Sequence, residues 1–272
     1  MSVKEMNILI AIPCYGGMVQ AECIMSLIQL NQLLNVKRIA HTIVPFADSL
    51  VTRVRNYFAN MAAFDTDARR NRFSHLLQID ADSRFEPGDI LRMLEVDRPI
   101  VGLPYALKNL KWDQIGHAAR LGMPDNLLEY FGADVNFNTT PISVDQATPI
   151  PQIGCGTMLI KTEVLDAMVA RHPEWKYRLY PSEIEEVQAN GGNRDYAYDF
   201  FRPQIDAETR YYLSEDFAFC EEARRLGFEV YVLPGAATGH VGTYEYKLNL
   251  PLLAAAGLNV RNMLNQPQET KV

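Results

Sequence analysis

The feature that most limits what this chain can fold into is an alternation of short, nearly continuous apolar runs with longer stretches of helical spacing. Ile8 to Pro13 is such a run, closed by Pro13, Gly16 and Gly17, and it has the pattern of a strand buried on both faces. About Gln20 to Leu34 then carries Ile24, Leu27, Ile28, Leu30 and Leu34 at helical spacing. The rhythm repeats with a strand over Arg38 to Val44, a helix over Ser49 to Phe64, a strand over His75 to Ile79 and a helix over Pro87 to Glu95. Pro87 suits a first helical position, where the missing N–H would have had no partner. Strands over Pro99 to Leu103 and Gln152 to Ile160, and a helix over Glu163 to Ala170, continue the series. This order implies an α/β fold, Rossmann-like, with a mixed, mostly parallel sheet flanked by helices. Ligands of such sheets bind outside the carboxyl ends of the strands. The loops after Pro13, Ile79 and the strand ending at Ile160 are therefore expected on one rim.

At 272 residues the chain is long enough to bury a large core and needs no second domain. A hydrophobic fraction of 48% with 22% charged residues belongs to folded proteins rather than disordered ones. Its formal net charge of −7 opposes the basic footprint of a nucleic-acid-binding protein. Cys14, Cys23, Cys155 and Cys220 show neither metal-finger spacing nor a disulfide framework, which fits a reducing, cytoplasmic setting. The start, Met-Ser-Val-Lys-Glu-Met-Asn, lacks the apolar core of a signal peptide. No apolar stretch reaches the roughly 18 residues that span a bilayer. The greasiest late segment, Leu248 to Leu258, is interrupted by Pro251 and Gly257 and suits core packing or a peripheral membrane contact.

Two segments break the rhythm. Asn109 to Thr148 is polar and weakly periodic, while His172 to Tyr212 holds nine of the 27 aromatic residues. Long irregular insertions in compact domains usually carry function, and the aromatic load argues that the second one is ordered.

Chemistry concentrates at two acidic motifs. Asp80-Ala81-Asp82 ends the third apolar run, and residues i and i+2 of a strand face one side, so both carboxylates are expected to converge on one ligand. Such oxygen donors suit Mg²⁺ or Mn²⁺ held together with substrate phosphates; the competing explanation is a solvated turn. Ser214-Glu215-Asp216 opens a helical stretch that Gly227 would close, so the two acids either perform chemistry or favour the helix dipole behind an N-cap at Ser214. Gly154-Cys155-Gly156-Thr157 offers backbone that a ligand can approach closely. His240, between Gly239 and Gly242, is a candidate metal ligand or an ordinary structural histidine. Tyr105 and Lys108 follow the fourth strand, where Lys108 could reach a phosphate.

Ile-Pro-Cys-Tyr-Gly (12–16), Arg55-Asn56, Ile-Asp-Ala-Asp (79–82), Gly-Cys-Gly-Thr (154–157), Glu-Asp-Phe-Ala-Phe-Cys (215–220) and His240 occur in an order that resembles the GT-A glycosyltransferases, family 2-like. The resemblance implies a GT-A domain spanning 1–272. About 1–108 would be the nucleotide-donor half and about 150–245 the acceptor half, followed by a tail at 246–272. It further implies that Pro13 and Tyr15 line the nucleotide pocket and that Arg55 bears on the donor. Asp80 and Ala81 would lie at its ribose and sugar, and Gly156 beside the transferred sugar. Asp82 and His240 would hold Mn²⁺ or Mg²⁺, and Asp216 would be the general base, with Glu215 holding the acceptor or orienting the base. Arg53, two residues from Arg55, is expected to face elsewhere. The implied reaction moves a sugar from a nucleoside-diphosphate sugar to a glycan or other acceptor hydroxyl with inversion, and the aromatic 172–212 segment would form the acceptor face.

Three alternatives stay open on sequence. A nucleotidyltransferase would share the sheet and the acidic site, although Pro13 to Met18 lacks the basic residues usual in its first loop. A glycosyltransferase acting on nucleic acid is opposed by the charge. A catalytically silent nucleotide-sugar-binding module would not need Asp82, Asp216 and His240 together.

Overall fold

In the computed structural model, which describes residues 6–135, 144 and 146–256, the first strand is buried along its whole length. The first half runs β1 (Asn7–Cys14), α1 (Ala21–Lys37), β2 (Ala40–Ala47), α2 (Val51–Phe64), β3 (His75–Ile79), β4 (Ser83–Arg84), α3 (Pro87–Val96), β5 (Ile100–Gly102) and α4 (Trp112–Arg120). The next part comprises β6 (Thr148–Ile150), β7 (Thr157–Lys161), α5 (Thr162–Arg171), β8 (Lys176–Arg178), α6 (Pro181–Ala189), β9 (Tyr196–Tyr198), β10 (Gln204–Ile205) and β11 (Tyr212–Leu213). It closes with α7 (Glu215–Arg225), β12 (Val230–Val232), β13 (Ala237–Val241), β14 (Glu245–Asn249) and α8 (Leu250–Ala255).

Seven strands form the central sheet in the order β2-β1-β3-β7-β5-β12-β6. β1 is parallel to β2 and β3, and β12 to β5, whereas β7 runs antiparallel to both β3 and β5. The expected α/β class, a mixed and mostly parallel sheet flanked by helices, is what the chain adopts. The period of two in a strand sorts the core into two layers. Leu9, Ala11 and Leu76 face α2, α5 and α7 through Val54, Phe58, Leu165 and Phe219. Ile8, Ile10, Ile12, Leu77 and Ile79 face α1 and α3 through Leu30, Leu34, Ile90 and Met93. Each such apolar side chain contributes about 1.5–3 kcal/mol when fully buried. Both faces of β1 are occupied, which explains an apolar run without alternation.

Several sequence expectations need correction. The strand expected over Gln152 to Ile160 begins only at Thr157 and runs in the opposite direction. Its start, not its end, therefore lies on the rim with the carboxyl ends of β1 and β3. Ile24 and Ile28, assigned to the apolar stripe of α1, are 43% and 47% exposed, and the buried stripe is Cys23, Ser26, Leu30 and Leu34. Ser26 fits there because its hydroxyl donates to Phe85 O at 2.7 Å.

Within the segment read as irregular, α4 forms although Gly116 weakens its propensity, followed by 3-10 turns over Asp125–Gly132. The aromatic segment is likewise structured, with its residues divided between two tasks. Tyr198, Phe200 and Phe201 are core, while Tyr180, Tyr211 and Tyr212 are exposed. Asn56 and Asn60, one turn apart on α2, tie it down: Asn60 Oδ1 accepts Tyr198 N–H at 2.7 Å and Asn56 Oδ1 accepts Phe201 N–H at 2.7 Å. The late apolar segment resolves into β14 and α8, with Leu248, Leu250 and Leu253 buried; Leu258 lies outside the described residues. Among the described residues no helix is long and apolar enough to cross a membrane. All four cysteines are buried and free.

Candidate active site

Alternation along β3 places Leu76, Gln78 and Asp80 on the side of α2. Arg55, on α2 and almost wholly buried, reaches across to them: its Nη1 donates to Gln78 Oε1 at 3.0 Å and its Nη2 to Asp80 Oδ1 at 2.9 Å. The third edge of the same guanidinium donates from Nε to Glu215 Oε1 at 3.2 Å. Burial opposes the arginine charge, but Asp80 and Glu215 outweigh it and raise the guanidinium further above its ordinary value. Arg53, as expected, points elsewhere and pairs with Asp48 (Nε to Oδ2, 2.5 Å).

The alternation stops at Asp80, because Ser83 N–H donates to Asp80 O at 2.9 Å and closes a turn. The i, i+2 argument therefore does not apply, and the two carboxylates take different partners although both line one cleft. Asp82 accepts from Lys108 Nζ at 2.6 Å and lies 3.4 Å from His240 Nε2, through Oδ2 in both contacts. Desolvation pushes Asp80 up more than Arg55 pulls it down, so its carboxyl sits above the usual range. Desolvation also pushes Asp82 up, yet the adjacent His240 and the Lys108 ammonium prevail and hold its carboxyl at about 2.

His240 owes its place to a small second sheet of order β14-β13-β4. β4 follows Asp82 directly, and its antiparallel pairing with β13 sets His240 opposite Ser83, while Val241 N–H donates to Asp82 O at 2.7 Å. Pairing and not glycine freedom positions the ring, since Gly239 is needed to admit Glu245 and Arg84 alongside it. His240 Nδ1 is 2.8 Å from Ala106 O. A carbonyl oxygen only accepts, so Nδ1 carries the proton. In the neutral ring Nε2 then presents its lone pair to Asp82, and two electron-pair donors so placed need a proton or a cation between them.

Gly156 seats a neighbouring aromatic ring. A Cβ there would stand 2.7 Å from Tyr105 Cδ1, so the missing side chain makes room for a half-buried ring that meets His240 edge-on at 5.4 Å. Its carbonyl accepts Asp80 N–H at 3.0 Å and Ser83 Oγ–H at 2.9 Å. Gly156 thus props the acidic turn from behind and is absent from the cleft wall.

One cleft of about 290 Å³ gathers Pro13, Tyr15, Arg55, Asp80, Ala81, Asp82 and His240. Tyr15, 77% exposed, stands at the turn that follows β1. Asp48, past the end of β2, also lines the cleft and escaped the sequence reading. An acid just beyond a strand that parallels β1 was the available signal. Ser214 occupies the N-cap position of α7, but its hydroxyl donates to Asp216 Oδ1 and caps no N–H. Asp216 Oδ1 also accepts Phe217 N–H at 2.8 Å, and its charge is felt at Arg55 and Tyr105. Asp216 sits beside the cleft through Glu215 rather than lining it.

Among the described residues no group of three or more His, Cys, Asp or Glu side chains converges as a metal site. Asp82 and His240 fit as half of one, provided a ligand completes the shell.

No family model matches the chain, and no curated protein matches it. Solved structures that align with the chain include A197 from STIV, at 15% identity, 90% and 91% coverage of the two chains and a TM-score of 0.46. The inositol-1-phosphate CTP transferase from T. maritima aligns at 10% identity, 93% and 96% coverage and a TM-score of 0.37. Mouse xyloside xylosyltransferase 1 aligns at 8% identity, 70% and 77% coverage and a TM-score of 0.26. At these scores the likenesses say nothing about activity.

Proposed function

We propose that this chain is a GT-A glycosyltransferase that moves a sugar from a nucleoside diphosphate to an acceptor hydroxyl with inversion. One observation carries the reading: a single guanidinium, that of Arg55, bonds both to Asp80 of the first acidic motif and to Glu215 of the second. A donor-contacting carboxylate and the residue beside a general base are thereby held in register across the cleft.

In this reading Tyr15 and Pro13 border the nucleotide, with Asp48 in the same wall able to accept hydrogen bonds from its base or ribose. Asp80, fixed by Arg55, faces the ribose and sugar side. Asp82 and His240 would hold Mn²⁺ or Mg²⁺, which when bound supplies positive charge where the diphosphate leaves. Asp216 takes the acceptor proton, a role worth roughly 10²–10⁴-fold in rate. Its Oδ1 is occupied by Ser214 and Phe217, which fixes the carboxylate and leaves Oδ2 for the acceptor. The acceptor would lie against the exposed Tyr211 and Tyr212, just before Asp216. The buried aromatics of the same segment serve the core instead.

A nucleotidyltransferase is the poorer fit because the loop from Pro13 to Met18 carries no basic residue to meet a triphosphate. Asp48, Asp80 and Asp82 line the cleft, and Arg55, the arginine among the lining residues, is already committed to Asp80 and Glu215. Each of the three carboxylates already holds a cation: Asp48 pairs with Arg53, Asp80 with Arg55 and Asp82 with Lys108. Calorimetric titration with UDP and GDP, with and without Mn²⁺, tests the proposal. Metal-dependent binding of either supports it and directs a sugar-nucleotide screen, whereas no binding of any nucleoside diphosphate removes it.

A further inference from the structure

At the metal end of the cleft two side chains share one oxygen. Lys108 Nζ sits 2.6 Å from Asp82 Oδ2, the atom that His240 Nε2 approaches to 3.4 Å. A divalent cation held by Asp82 and His240 would share the carboxylate with an ammonium group already on it. Like charges at such separation repel strongly where water is partly excluded.

The lysine is built to let go. Its side chain and that of Asp82 are 37% and 31% exposed, so the pair lies at the mouth, where ion pairs are weak. Its root is fixed, because the neighbouring Leu107 N–H donates to Asp134 O at 2.9 Å and Asn109 N–H to Leu107 O at 2.7 Å. Beside the stem lies Gly242, whose Cβ position would be 3.6 Å from Lys108 Cδ, so no side chain crowds the arm there. Arg55 cannot supply a cation to a diphosphate without abandoning both acidic motifs.

We propose that Lys108 is a tethered counter-ion: it neutralises Asp82 in the empty cleft and moves to the diphosphate when the donor enters, surrendering Asp82 to the metal. Metal and donor then bind as one coupled event, each raising the affinity for the other. The proposal rests on the donor reading above in that it needs a diphosphate in the cleft.

The test measures Mn²⁺ affinity by electron paramagnetic resonance, with and without saturating UDP or GDP, in the wild-type chain, Lys108→Met, Lys108→Arg and Asp82→Asn. Lys108→Met should bind Mn²⁺ alone more tightly than wild type, on the order of five-fold given the strength of partly exposed ion pairs. It should also gain less from added nucleotide, whereas Lys108→Arg keeps the wild-type response. Equal Mn²⁺ affinity in wild type and Lys108→Met, abolished in Asp82→Asn, overturns the counter-ion role while leaving the metal site standing. Absence of Mn²⁺ binding from every variant, with every nucleoside diphosphate, defeats the donor reading and this inference together.

Discussion

Arg55 on α2 and Glu215 on α7, separated by 160 residues in sequence, meet through a hydrogen bond of 3.2 Å. The same guanidinium holds Asp80 at 2.9 Å, so the buried arginine is a positioning residue between two acidic motifs and not a free donor ligand. Removing it leaves two partly buried carboxylates without their cation.

Arg55→Met should therefore lower stability by about 3–5 kcal/mol, the scale for breaking a buried ion pair from one side. Arg55→Lys keeps the charge but cannot reach three acceptors at once, and should fall between the two. Urea unfolding measures both. A loss under about 1 kcal/mol in Arg55→Met, the level of a surface pair, would show that the bridge is slack.

Asp216 and Asp82 should fail in different ways. Asp216→Asn is expected to retain diphosphate affinity while transfer falls by roughly 10²–10⁴-fold. Asp82→Asn and His240→Ala should lose the Mn²⁺-dependent part of diphosphate binding. Calorimetry beside a transfer assay separates them, and near-normal turnover in Asp216→Asn would reduce that residue to its local bonds at the start of α7.

Gly156→Ala should cost about 1–3 kcal/mol, as overpacking does, because the new methyl meets Tyr105 at 2.7 Å. The ring would be driven toward His240. If that contact is the cause, Tyr105→Leu in the same chain should recover part of the loss, and the thermodynamic cycle would show coupling. Strict additivity of the two changes would refute it.

His75 at the start of β3 is buried, and desolvation, aided by Lys161, lowers its pKa to about 4. Its Nδ1 lies 2.8 Å from Ser74 Oγ, which can donate to the neutral ring. The unfolded chain binds the proton at about pH 6.5, so below that pH unfolding takes up a proton that the native state refuses. The stabilisation of the neutral ring is complete above pH 6.5 and declines as pH falls toward 4, by about 3 kcal/mol over the window. Chemical denaturation at pH 7 and pH 4.5 should show that fall, and His75→Gln should flatten it. An unchanged slope in the variant would assign the pH dependence to other groups.

Much of this architecture is legible in the residues taken locally. Periodicity locates β1, α2, β3 and α3 to within a few residues, because burial on one or two faces writes its own spacing into the chain. Pro87 and Gly227 mark a helix start and a helix end through their own backbone requirements. Asp80, Asp82 and Glu215 stand out as acids at a strand end and a helix start, whereas His240 draws notice through its place in the glycosyltransferase-like order of motifs. The direction of β7 was not legible, since an apolar run reads the same parallel or antiparallel and only its partners β3 and β5 decide. Nor was the choice of different partners by Asp80 and Asp82, the use of Gly156 as a seat for Tyr105, or the grip of Lys108 on Asp82. The sequence by itself determined the alternation of strands and helices from β1 to α3 and which residue types stand at their ends, for those depend on neighbours within a turn or two. Tertiary structure alone decided which carboxylate faces which cation, because that depends on strand register and on side chains brought together from as far as 160 residues away.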